Sequence, residues 1–131
     1  MNKVVYSALR TPDGTVLESQ HRHDFKTYTD ANGKTYMIDG GLEYVRSSAN
    51  GDEEYITVTL DDPHEVVREV VTWGTRGKNG DEPYRTVKLS EMSNAHIKAV
   101  IETQKGMYPQ FKRAMLNEMT YRDANNIFIE D

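Results

Sequence analysis

At Asp62-Pro63-His64-Glu65 the chain changes character, and this change constrains the fold more than any other feature of its 131 residues. Before that point the signals are turns and strands; after it they are helix starts. Val4, Tyr6 and Ala8 precede Thr11-Pro12-Asp13-Gly14, and Val16 and Leu17 come after it. Asp-Gly accepts the positive φ of a tight turn, so this stretch reads as a β-hairpin. Phe25, Tyr28, Tyr36, Met37 and Ile38 flank Asp30-Ala31-Asn32-Gly33, where Asn-Gly is the strongest turn signal in the chain. Asp39-Gly40-Gly41 breaks the second hairpin's outgoing strand; a bulge or a positive-φ turn is the expected use of its glycines. Leu42, Tyr44 and Val45 then lead to a polar loop at 47–52, and the β-branched run 55–60 predicts a further strand.

From residue 62 onward Asp62 is expected to cap, Pro63 to take the first helical position and Glu65 to reach back. Val66, Val67, Val70 and Val71 recur at helical spacing, with a strand as the alternative because β-branched residues lose rotamers in helices. A Gly-rich connection from Thr72 to Pro83 precedes a strand at 84–89. Ser93 caps a helix with Ile97, Val100 and Ile101 on one face, ended by Gly106. Pro109 opens a last helix whose Phe111, Met115 and Met119 are expected to be its buried stripe, and Ile127-Phe128-Ile129 reads as a terminal strand. Strands first and helices after predict an α+β fold. The N-terminal antiparallel hairpins would form a small sheet, packed by two to three C-terminal helices in one domain spanning 1–131: mainly β over 1–60, mainly α over 61–131, with the Gly-rich loop and strand at 72–89.

Composition narrows the function classes. A net charge of -5 argues against general attachment to DNA or RNA, which is driven by neutralising phosphates. With no cysteine, disulfides, thiolate zinc sites and cysteine nucleophiles are ruled out. No run of apolar residues approaches membrane-span length, so a cytosolic location without membrane partners is expected.

Two segments carry a family resemblance. Leu17-Glu18-Ser19-Gln20-His21-Arg22-His23-Asp24-Phe25, followed by Ile38-Asp39-Gly40-Gly41-Leu42-Glu43-Tyr44-Val45-Arg46, resembles small uncharacterised accessory proteins of tailed bacteriophages and prophages. Many of those look like zinc ribbons with cysteine pairs beside these motifs. Here Asp13-Gly14 and Asn32-Gly33 stand about where the metal knuckles would be, which implies loss of the zinc. Trp73-Gly74-Thr75-Arg76-Gly77-Lys78-Asn79-Gly80-Asp81, followed by Val87-Lys88-Leu89-Ser90-Glu91-Met92 and His96-Ile97, resembles a module of similar phage proteins. The resemblance implies a phage product acting in a bacterial host's cytoplasm, and no catalytic residue comes with it.

Three constellations are candidates for chemistry. Trp73, Arg76, Lys78, Tyr84, Arg85 and Lys88 make a cationic, aromatic stretch inside an acidic chain, with glycines that let amides approach an anion. They suit a nucleotide-like ligand, although the spacing matches no phosphate-loop fingerprint and a solvated hairpin is the competing reading. His21, His23 and Asp24 would share a divalent metal if 21 and 23 lay on one strand face, joined by Asp39 or His64; a hydrogen-bonded strand end is the alternative. The methionines and aromatics of the last helix are core, with any leftover face expected to serve a homo-oligomer. The primary expectation is binding rather than catalysis: sequestering a nucleotide-like ligand or blocking a host protein to counter bacterial defence, with no cofactor or metal. The alternatives are a metal-dependent phosphodiesterase or nuclease on the His/Asp cluster, and a metal-free ribbon that binds nucleic acid.

Overall fold

The computed structural model describes residues 2–131 and has an α+β fold. The chain forms two compact units, Asn2–Thr59 and Leu60–Asp131. Among the described residues no helix is long and apolar enough to cross a membrane.

The first unit holds two three-stranded antiparallel sheets. In one, β1 (Val4–Arg10) lies between β2 (Val16–Glu18) and β6 (Glu54–Thr59), with Leu9 opposite both Leu17 and Tyr55. In the other, β4 (Thr35–Asp39) lies between β3 (Lys26–Thr29) and β5 (Arg46–Ser47). Both hairpins turn where the sequence places them, with Gly14 and Gly33 at φ near +89° and +80°. Leu9, Leu17, Tyr36 and Ile38 form the core, and Tyr28 packs against it. Asp39-Gly40-Gly41 ends the strand with both glycines at positive φ, as expected, and the chain then makes a single helical turn, α1 (Gly41–Tyr44).

The second unit begins with α2 (His64–Val70). Pro63 stands one residue before the helix rather than inside it, and no side-chain cap closes that end. The hairpin β7 (Thr72–Thr75) and β8 (Arg85–Lys88) comes next, then a 3-10 turn at Leu89–Glu91, α3 (Asn94–Thr103) and α4 (Pro109–Ala124). α2 and α3 pack on α4, and α2 also meets β8 and the 3-10 turn. Ser93 caps α3 as expected, accepting the His96 amide at 3.0 Å, whereas the helix ends at Thr103 before Gly106 is reached.

Two expectations are corrected in this unit. The face buried by α4 is Gln110, Ala114, Met115, Glu118 and Arg122; Phe111 and Met119, flanking Met115, are only half-buried. The helix is rotated toward its polar residues because Glu118 and Arg122 satisfy one another. Arg122 Nε donates to Glu118 Oε2 at 2.7 Å, and His64 Nε2 (2.8 Å) and Arg68 Nε (3.0 Å) donate to Oε1. Arg68 Nη2 reaches Oε2 at 2.8 Å and its guanidinium lies over the Tyr121 ring. Burial disfavours the Glu118 carboxylate, but these donors outweigh it and hold its pKa below the usual value. The second correction is that residues 127–129 form no strand. Asn94 instead holds that segment: its amide donates to Ile129 O (2.9 Å), and its Oδ1 accepts from Ile129 N (3.0 Å) and from Arg122 Nη1 (2.8 Å).

Candidate ligand-binding cleft

In the hairpin β7–β8, Trp73 lies opposite Val87, Gly74 opposite Thr86 and Thr75 opposite Arg85. Paired residues share a face and successive residues alternate, so Trp73, Thr75, Arg85 and Val87 stand on one side, Gly74 and Thr86 on the other. The Tyr84 ring lies over Gly74, where a Cβ would meet its hydroxyl. Trp73 and Tyr84 therefore stand on opposite faces of the hairpin and do not clasp one flat ligand between them.

The connecting loop uses its own amides. Gly77 N donates to Thr75 Oγ1 at 3.1 Å, Gly80 N to Gly77 O at 3.2 Å and Glu82 N to Arg76 O at 2.9 Å. Gly77 is at φ +82°, and the Glu82 carboxylate lies against it where a Cβ would stand. The donors that a phosphate would need from Gly77 and Gly80 are thus engaged in shaping the loop.

A cleft of about 580 Å³ opens between this hairpin and the start of α3, within the range of small-ligand sites. Val87, Met92, Ala95 and Ala99 supply its apolar lining. Lys78 and Arg85 contribute positive charge and Glu82, Glu91, Glu130 and Asp131 negative charge. Glu130 and Asp131 reach it because Asn94 holds the segment before them and Ser93 Oγ donates to Asp131. Glu91 accepts the Lys88 amide at 3.1 Å. Among the described residues, Lys78 and Arg85 make no ion pair with these carboxylates, nor does Glu82 or Glu130 find a cation.

Of the six residues expected to bind a ligand, Lys78 and Arg85 line the cleft; Trp73, Arg76, Tyr84 and Lys88 are not part of its lining. Lys88 lies 3.7 Å from Glu69 of α2. The sequence reading missed Met92, Ala95, His96, Ala99 and the carboxylates. Small residues four apart at 95 and 99, on the face of α3 away from Ile97 and Val100, were the available sign of a groove.

The histidine cluster lies in the other unit. His21 and His23 occupy a turn rather than a strand, and both are exposed. Asp24 accepts Lys26 Nζ at 2.6 Å and Gln20 N at 2.9 Å; burial works against its ionisation, but these donors prevail and lower its pKa. Asp39 is engaged by Arg46 Nη2 at 2.6 Å, and His64 by Glu118. Among the described residues no three His, Cys, Asp or Glu side chains come together as a metal site. No family model, curated protein or solved structure matches this chain.

Proposed function

We propose that the protein works by binding rather than catalysis: an accessory factor of a bacteriophage that blocks a host protein in the bacterial cytoplasm by taking one of its charged segments into the cleft beside α3. The observation that carries this reading is the cleft's unneutralised charge of both signs. Its cations and carboxylates share one lining without pairing, so a segment bearing basic and acidic side chains beside an apolar one would satisfy all three kinds of surface. The excess of carboxylates favours a basic segment and works against a free nucleotide, whose phosphates would meet four acidic groups for two cations. The nucleotide reading keeps one support, the unpaired state of Lys78 and Arg85.

The test combines affinity capture from bacterial lysate with calorimetry on mono-, di- and cyclic nucleotides. Wild-type protein should retain a host protein that Glu130→Lys and Arg85→Glu both release, since a lost charge-assisted contact costs about 1.5–3 kcal/mol. Nucleotide binding tighter than millimolar, abolished by Arg85→Glu, would replace the protein-blocking reading with ligand sequestration. Capture unchanged in both variants would remove the cleft from the account.

A further inference from the structure

In the first unit the turn at 19–25 is built more firmly than its burial explains. Asp24 N donates to His21 O at 3.0 Å, Phe25 N to His23 O at 3.1 Å and Gln20 N to the Asp24 carboxylate at 2.9 Å. Ser19 Oγ donates to Asp24 O and accepts Gly41 N at 2.9 Å, which ties the turn to α1. The Gly41 backbone lies so close to His21 that a Cβ there would collide with the His21 main chain. Yet His21, Arg22, His23 and Phe25 are all exposed. A turn held by this many hydrogen bonds that buries none of those side chains is a platform for presenting them.

Its exposed side chains have a definite chemistry. The Arg22 guanidinium stands 5.7 Å from the centre of the Tyr44 ring, and Arg46 stands 5.8 Å from the same ring. Tyr44 is 44% exposed and Phe25 55%. Arg46 is also held by Asp39, its cross-strand neighbour, and Phe25 is one residue beyond the last paired rung on the other side of β4. Among the described residues, Arg22 has no hydrogen-bond or ion-pair partner, so its planar donors face solvent while the aromatic ring holds its position. The exposed Phe25 ring, and an unengaged guanidinium layered on Tyr44, are flat surfaces and donors of the kind that the bases and phosphates of a single strand engage.

We infer that this face of the first unit, formed by Arg22, Phe25, Tyr44 and Arg46, binds short single-stranded nucleic acid, independently of the cleft beside α3. Stacking supplies the contact and Arg22 meets a phosphate; the net charge of -5 makes longer and double-stranded polyanions poorer ligands. An acidic peptide would use the guanidinium but leave the exposed Phe25 ring without a flat partner.

Fluorescence anisotropy with a fluorescein-labelled oligodeoxythymidine of about ten nucleotides, within the span such sites cover, tests this on the full chain at low salt. Tyr44→Ala should weaken binding about ten-fold or more, Tyr44→Phe should bind like wild type, and Arg22→Ala should weaken binding and flatten its salt dependence by somewhat under one unit of slope. Arg85→Glu and Glu130→Lys should leave oligomer binding unchanged, so failure of this inference and failure of the cleft reading are separable. The inference is overturned if anisotropy stays flat to millimolar protein, if Tyr44→Ala and Arg22→Ala both bind like wild type, or if a phosphopeptide of equal charge competes as well as the oligomer. Arg22 is fully outside the core, so its variant reports on binding even if a Tyr44 variant fails to fold.

Discussion

Replacing Glu118 by glutamine tests the energetic centre of the second unit. The carboxylate is completely buried, Arg122 is 1% exposed, and four donor atoms from three side chains converge on its two oxygens. Glutamine keeps the shape but removes the charge and turns an amide NH₂ toward guanidinium donors. Two arginines then lose their shared counter-charge, and breaking a buried pair in this way costs about 3–5 kcal/mol, a large part of the roughly 5–15 kcal/mol that holds a domain folded. Urea denaturation followed by circular dichroism should show the helical signal of the variant lost at distinctly lower denaturant. The pH dependence adds a second readout. Glu118 titrates below its ordinary value of 4.5 when folded, so its contribution is fully present above that pH and is lost as pH falls toward the folded value. The gap between wild type and variant should therefore narrow by about 1.4 kcal/mol for each pH unit below 4.5 until the folded carboxyl is protonated. A cost under about 1 kcal/mol near neutrality, or a gap that does not change on acidification, would refute the reasoning. Pairing Arg122→Met with Glu118→Leu should cost less than the two changes summed, because the fully buried Arg122 charge is no longer left stranded and only Arg68, which reaches the surface, loses its buried partner.

Met115→Ala should cost about 2–5 kcal/mol by leaving a cavity, and Met119→Ala distinctly less, since Met119 is only half-buried; equal costs by thermal melting would contradict the observed rotation of α4. Gly41→Ala should destabilise the first unit by at least about 1–3 kcal/mol, as φ +53° and the His21 main chain both oppose a side chain, and a variant that melts like wild type would show that the turn is not pinned there. Excess chelator should leave the melting temperature unchanged; a marked drop would reveal a metal held by groups that here bond one another.

The parts of the fold legible in the sequence are those decided within a few residues. Asp13-Gly14 and Asn32-Gly33 mark turns because positive φ is a local demand, and Ser93 marks a helix start because its hydroxyl needs only the amide three residues on. Periodicity misplaced the α4 face because it treats Glu118 and Arg122 as solvent-facing. Their burial depends on His64, Arg68 and Asn94, which lie far away in the chain. The candidate site was legible only in part for a similar reason. Lys78 and Arg85 belong to the hairpin that the glycines advertise, whereas Glu130 and Asp131 come to the cleft through an Asn94–Ile129 pairing that carries no strand signature. That His21 and His23 sit in a turn rather than on a strand was not legible, because the collision that Gly41 avoids, which pins their turn, involves a residue about twenty positions later.

Asn94 Oδ1 accepts from both Arg122 and Ile129, so a single oxygen atom joins the buried charge cluster to the segment that carries two of the cleft's carboxylates. The outer residues of that cleft are under no such obligation: Lys78, Arg85 and Glu130 are exposed, and among the described residues their side chains make no hydrogen bond or ion pair. Substitutions can therefore accumulate at those three positions under changing selection, retuning what the cleft accepts, while Asn94, Glu118 and Arg122 must be inherited together.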